Sequence, residues 1–159
     1  METKGNQMIK KVLFLDDMEE RHLAFLRMIR DIPDIESYQA WNAKQAINWL
    51  EKEKFYLACL DHDLSDEHYV AFQNNNLLPG KAVYAEDTGL TVAQFIALHQ
   101  DPSLHPDNII THSWNTDRAK EMDTVLHNTN KYNIGNLFLE PFGSTKTSLF
   151  GQLVLKLLT

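Results

Sequence analysis

The sequence predicts an α/β fold in which a five-stranded parallel sheet is doubly wound, with helices on both faces. Three observations predict it. Short apolar runs alternate with amphipathic stretches along the whole chain, five of each. The first apolar run is unbroken rather than alternating, as in a central strand covered on both faces. The first and third runs both end in carboxylates, Asp16-Asp17 and Asp61-His62-Asp63, which places acidic groups at the C-terminal edge of such a sheet, where open α/β folds keep their chemistry.

The elements follow in order. Residues 1–8 read as a flexible leader. Lys10–Asp17 is the first strand, and Asp17 or a neighbour opens a helix over Glu19–Arg30 with Leu23, Leu26 and Ile29 at helical spacing. Pro33 ends that helix. Ile35–Ala40 is a short strand. Asn42 caps the next helix, whose stripe is Ala43, Ala46, Ile47 and Leu50. Phe55–Asp61 is the third strand. Residues 64–87 carry three consecutive Asn and Pro79-Gly80 with no durable periodicity, and read as an extended loop or lid over the strand ends. Thr88–Leu98 is a helix with Leu90, Ala93, Phe95 and Ile96 near one side. Ile109–His112 is the fourth strand, followed by a helix from Thr116 or Asp117 to about Asn128. Asn136–Glu140 is the last strand, and Thr145–Leu158 the closing helix. No repeat or linker divides the chain, so residues 9–159 are expected to form a single domain.

Composition bounds the function. With 159 residues, 43% hydrophobic and 23% charged, the chain can bury one good core. A formal net charge of −7 argues against a surface that coats DNA, while leaving room for a local pocket that holds a nucleotide. The single cysteine, Cys59, lies inside an apolar run and reads as a buried thiol. No apolar stretch is long enough to span a membrane, and the N-terminus lacks the apolar block of a secretion signal, so the expected compartment is the cytoplasm.

Two chemistries fit the strand ends. Asp61 and Asp63 point the same way in an extended segment and His62 the other way. By the same rule one of Asp16 and Asp17 faces the pocket. Asp16, Asp17, Asp61 and Asp63 are candidate ligands for Mg²⁺ or Mn²⁺. Alternatively, crowded carboxylates raise one another's pKa and supply a proton donor. His62 and His112 are candidates for general acid and base on either side of a phosphate, with Asp61 and Asp63 orienting them. Arg21, Ser113 and Asn115 are candidate phosphate holders, Arg21 being equally placed for an ion pair with Asp16 or Asp17. Trp114 is placed to stack on a base or to anchor the core edge, and Trp41 and Trp49 read as packing residues. Ser144, Thr145 and Lys146 open the last helix and read as capping. Leu149, Phe150 and Leu153 supply either core or a dimer face.

The order of elements, Asp16-Asp17 and Asp61 resemble a response-regulator receiver domain over nearly the whole chain. The resemblance implies a flavodoxin-like strand order of 2-1-3-4-5, an acidic pair for Mg²⁺, and a phosphate-accepting aspartate. The chain departs from that pattern at Glu140-Pro141-Phe142, where receivers carry lysine before Pro-Phe, and at His112, where a Ser or Thr is expected. It is more similar to the receiver-derived group described as cyclic-phosphate-processing receiver-like domains. Leu15-Asp16-Asp17 with Arg21, Asp61-His62-Asp63-Leu64, Thr88-Gly89 and His112-Ser113-Trp114-Asn115 carry that resemblance, in the correct order. It implies a phosphoesterase acting on a cyclic phosphate of a nucleotide or RNA end, with Thr88 among the substrate-binding residues. A non-catalytic binder of a nucleotide signal and a degenerate receiver serving as a protein-interaction module are the alternatives.

Overall fold

The computed structural model describes residues 8–61, 89–99, 101–112, 116–127, 136–140 and 146–159. The five strands are β1 (Lys10–Leu15), β2 (Ile35–Ala40), β3 (Leu57–Asp61), β4 (Asn108–His112) and β5 (Asn136–Glu140). They pair in parallel throughout in the order β2-β1-β3-β4-β5, as expected. Among the described residues the helices are α1 (Glu19–Ile29), α2 (Ala43–Lys52), α3 (Gly89–Leu98), α4 (Thr116–His127) and α5 (Leu149–Leu158), with a 3₁₀ turn at Pro102–Leu104. The extended segment expected at 64–87 and the leader at 1–7 lie outside the described residues.

The chain enters the sheet at β1, one strand in from an edge. It steps outward from β1 to β2, then reverses and moves through β3 and β4 to β5. Right-handed crossovers in opposite directions put the intervening helices on opposite faces. On one face Phe25 and Met28 of α1 and Phe150, Val154 and Leu158 of α5 cover Val12, Phe14, Leu57, Cys59 and Ile110. On the other, α2, α3 and α4 bring Ala46, Leu50, Val92, Ile96, Met122 and Leu126 onto Leu13, Leu15, Ala58, Leu60 and Ile109. Both layers are built of buried apolar side chains, which is why β1 and β3 read as unbroken apolar runs. β2, the edge strand, is mostly half-buried or exposed. No helix among the described residues is long and apolar enough to cross a membrane.

Several boundaries differ from expectation. The first helix buries Ala24, Phe25, Met28 and Ile29, leaving Leu23 46% exposed, because the bulkier Phe25 and Met28 take the core side. The closing helix starts four residues late, at Leu149. Ser148 caps it, its Oγ accepting the Gly151 N–H at 3.0 Å, which ends the preceding turn before Leu149. Phe150 is fully buried, so the face of Leu149, Phe150 and Leu153 splits between core and solvent. Asn42 caps α2 as expected, its side chain accepting the Gln45 N–H at 2.9 Å. Cys59 is fully buried, and burial pushes its thiol far above the ordinary range. Thiol reagents are expected to leave native protein unmodified and to label one site per chain in denaturant, which a timed labelling assay checks.

Candidate functional site

Strand alternation selects the residues that meet. Val12, Phe14 and Asp16 share a face, as do Leu57, Cys59 and Asp61, and Asn108, Ile110 and His112. Asp61 pairs in register with His112, and His112 with Glu140. Asp16 follows β1 directly, and its N–H still donates to the Ala40 carbonyl at 3.2 Å, so the chain stays extended past the strand end. Asp16, Asp61 and His112 therefore sit over the end of the layer that contains Phe14 and Phe150. Between β1 and β3 the chain's direction across the sheet reverses, the crevice where open α/β sheets bind ligands.

Donor atoms of Asp16, Asp61 and His112 all lie within 4.8 Å of one another, and all three residues are buried. Asp16 is held from several directions. Its Oδ1 accepts the Met18 N–H at 2.9 Å, a local turn that opens α1 although Met18 has no capping side chain. Its Oδ2 accepts from Arg21 Nη1 at 3.1 Å, and the same nitrogen lies 3.6 Å from Asp61 Oδ2. One guanidinium thus compensates two buried carboxylates. The next residue in α1, His22, is buried too, and its Nε2 lies 2.7 Å from the Asp16 backbone oxygen. Its Nδ1 meets Gln39 Oε1, and its ring stacks on Trp41 at 3.7 Å between centroids.

Burial governs the electrostatics. It raises the Asp16 carboxyl above its ordinary value against the opposing pull of the Met18 N–H and Arg21. It lowers His112 to about 3, with Arg21 and His22 adding to the effect. His112 is enclosed by aromatic rings, near-parallel to Phe14 at 5.4 Å and edge-on to Phe150 at 5.3 Å. At neutral pH it is therefore a neutral imidazole, with an N–H on one ring nitrogen and an acceptor or ligand lone pair on the other.

The shift has a consequence for stability. Between the ordinary value of 6.5 and about 3, the unfolded chain takes up a proton at His112 that the folded chain refuses. Stability is present in full above that window and falls as pH drops through it, with a slope approaching about 1.4 kcal/mol per pH unit. Asp16 has the opposite sign, because its raised pKa lets the folded state bind a proton first, and it softens the loss at the acidic end. Urea midpoints measured with a chelator present should fall from pH 6.5 to 4.5, and His112→Phe should flatten that limb. An unchanged limb in the variant would exclude His112 as its source.

Of the expected site residues, the fold brings Asp16, Asp61, His112 and Arg21 together. Asp17 is half-buried and is not part of the three-residue cluster. His62, Asp63, Thr88, Ser113, Trp114 and Asn115 lie outside the described residues. Sequence reasoning missed His22. Its signal was a histidine three residues before Phe25, on the stripe that α1 buries. Trp49 packs as expected, half-buried against the α2 side of the sheet. Trp41 is 38% exposed and serves as the platform for His22.

Residues 11–128 match the family model described as cyclic-phosphate processing receiver domain. No curated protein matches the chain. Several solved structures share its fold. A response regulator from Burkholderia pseudomallei, with a phosphorylated aspartic acid, calcium ion and citrate, is 18% identical with a TM-score of 0.55; the match covers 94% of this chain and 66% of that one. The response regulator domain of Thermotoga maritima CheB is 17% identical, with a TM-score of 0.57 and coverage of 94% and 93%. A CheY-like receiver domain protein from Methanospirillum hungatei is 17% identical, with a TM-score of 0.55 and coverage of 94% of each chain. At such identities the likeness is one of fold.

Proposed function

The chain belongs to the cyclic-phosphate processing receiver domain family, and from that membership we propose that it is a phosphoesterase opening a cyclic phosphate of a nucleotide or an RNA end. The observation that carries this reading is the convergence of Asp16, Asp61 and His112, with donor atoms within 4.8 Å, at the switch point of the sheet. Two carboxylates and a neutral imidazole form a mixed oxygen–nitrogen donor set. The carboxylate oxygens suit Mg²⁺ and Mn²⁺, and the added imidazole favours a transition-metal ion over Mg²⁺. Burial keeps His112 in the deprotonated form that a cation needs. The residues therefore suit a divalent cation, which Asp16, Asp61 and His112 would hold. Bound there, it would polarise a phosphoryl oxygen as a Lewis acid.

The chain's own residues would divide the remaining work. Arg21, already between the two carboxylates, is placed to turn its fork onto phosphoryl oxygens. Ser113 and Asn115 would hold the others, with Thr88 and Trp114 against the adjoining sugar. In the reaction a water oxygen forms a new bond to phosphorus as one ring P–O bond breaks. Asp63 would take the water's proton, and His62 would give one to the leaving alkoxide. The lowered pKa of His112 favours a holding role for it over the shared acid–base role.

The test is incubation with 2′,3′-cyclic and 3′,5′-cyclic nucleotides in Mg²⁺, Mn²⁺ or a chelator. The expected result is a nucleoside monophosphate formed with either metal and not with the chelator. Absence of product from every substrate and metal would sink the catalytic reading. Saturable binding without product would instead identify a nucleotide-signal binding protein.

A further inference from the structure

A groove of about 360 Å³ runs along the outer edge of β2, lined by Gln39, Trp41, Gln45, Asn48, Trp49 and Lys52. That volume is in the range of small-molecule sites, about 300–1,000 Å³. Gln45, Asn48 and Lys52 are exposed and recur at spacings of three and four, so they form one face of α2. The Trp49 indole N–H donates to the Gln39 carbonyl at 3.1 Å, which fixes that ring in the wall and satisfies an edge-strand oxygen. Among the described residues no carboxylate lines the groove, although the chain's net charge is −7.

The groove is joined to the carboxylate–histidine centre. Trp41, at its wall, stacks on His22, and His22 reaches the backbone of Asp16. One histidine therefore separates the groove from the centre. α2 follows β2 and runs back against the strand direction, so its first residues stand at the sheet edge that carries Asp16 and Asp61. Trp41 and Gln45 mark the end of the groove nearest the centre.

Two indoles, three side-chain amides and a lysine line the groove, and such a set suits a heteroaromatic base. Indoles stack on a base face whatever its sequence identity. The Asn48 amide presents a donor and an acceptor side by side, matching the edge of a base, while the side-chain oxygens of Gln45 and Gln39 are engaged by the Trp41 backbone N–H and by His22. We propose that this groove is the base subsite of the protein, seating the base of a nucleoside whose cyclic phosphate lies at Asp16, Asp61 and His112. The proposal rests on the phosphoesterase reading for its phosphate half, and commits the substrate class to nucleotides rather than to cyclic phosphates in general.

The probes are adenosine, guanosine, cytidine and uridine, which carry no phosphate, titrated into the whole chain while the three indole N–H signals are followed by NMR. Trp→Phe variants assign the signals. At least one nucleoside is expected to shift the Trp41 or Trp49 signal saturably, while ribose alone shifts neither. Asn48→Ala, on the exposed helix face, should weaken that nucleoside about tenfold, and Trp41→Ala should do the same, with melting curves reporting that each variant is folded. In parallel, turnover of a 2′,3′-cyclic nucleotide is compared with that of glycerol cyclic phosphate, which has no base. A base-free substrate with about tenfold higher KM supports the subsite. Equal kcat/KM for both, with silent indoles, overturns the subsite and leaves the phosphoesterase standing. Shifted indoles with no turnover of either substrate uphold the subsite and overturn the phosphoesterase. Ribose shifting the indoles as strongly as the nucleosides would reassign the groove to a sugar and overturn the proposal.

Discussion

Asp61→Asn is expected to lower kcat/KM for a cyclic nucleotide by about a hundredfold or more and, unlike most losses of function, to leave the protein as stable as before or more so. Asp61 and Asp16 are both buried and share a single guanidinium, at 3.6 Å and 3.1 Å. Two carboxylates buried side by side in a low-dielectric crevice repel each other and lose hydration, a cost that the Arg21 guanidinium reduces. Asparagine keeps the shape and removes the charge. It should therefore weaken divalent-cation binding and turnover together while the thermal midpoint holds or rises. Calorimetric titration with Mn²⁺, initial rates and a melting curve on one preparation check all three. Activity retained within threefold would mean that Asp61 is only a structural partner of Arg21. A collapsed melting curve would mean that its charge is needed for folding.

Phe14→Ala is expected to cost about 3–5 kcal/mol, the usual penalty for a fully buried phenylalanine. Set against a typical domain stability of about 5–15 kcal/mol, that removes about a fifth or more of it. Phe14 is fully buried in β1 and stacks on Phe25 with 4.4 Å between centroids. Its ring also meets His22 at 4.9 Å and His112 at 5.4 Å, so it stands beneath both histidines that flank the carboxylates. The cavity should loosen both. Urea unfolding reads the stability loss, and Mn²⁺ affinity reads the loosening under conditions where the variant is still folded. Phe14→Leu should lose much less of each. A loss below about 1 kcal/mol for the alanine variant would show that the layer refills the space, contrary to the packing described.

Much of the fold was legible because nearest-neighbour chemistry encodes it. The unbroken run Val12–Leu15 announced a strand covered on both faces, and both faces are covered. Asn42 announced the start of α2 and caps it. Period-two alternation required that only one of Asp16 and Asp17 face the crevice, and it is Asp16 that joins the cluster. The strand order came from the resemblance to receivers, since alternation of elements does not by itself say which strands are neighbours.

What the sequence determined by itself, then, is the set of elements, the chemistry at their ends, and which residues share a face. These depend on steric preferences, caps and periodicities that act within a few residues. Tertiary structure alone decided that Arg21 bridges Asp16 and Asp61, that His22 props the backbone of Asp16, and that Trp41 links this centre to the β2 groove. It also decided that His112 is neutral, because its lowered pKa comes from enclosure by Phe14 and Phe150, which belong to opposite ends of the chain. Desolvation and charge pairing depend on distances between residues far apart in sequence, and only the closing of the sheet and the docking of α1 and α5 set those distances.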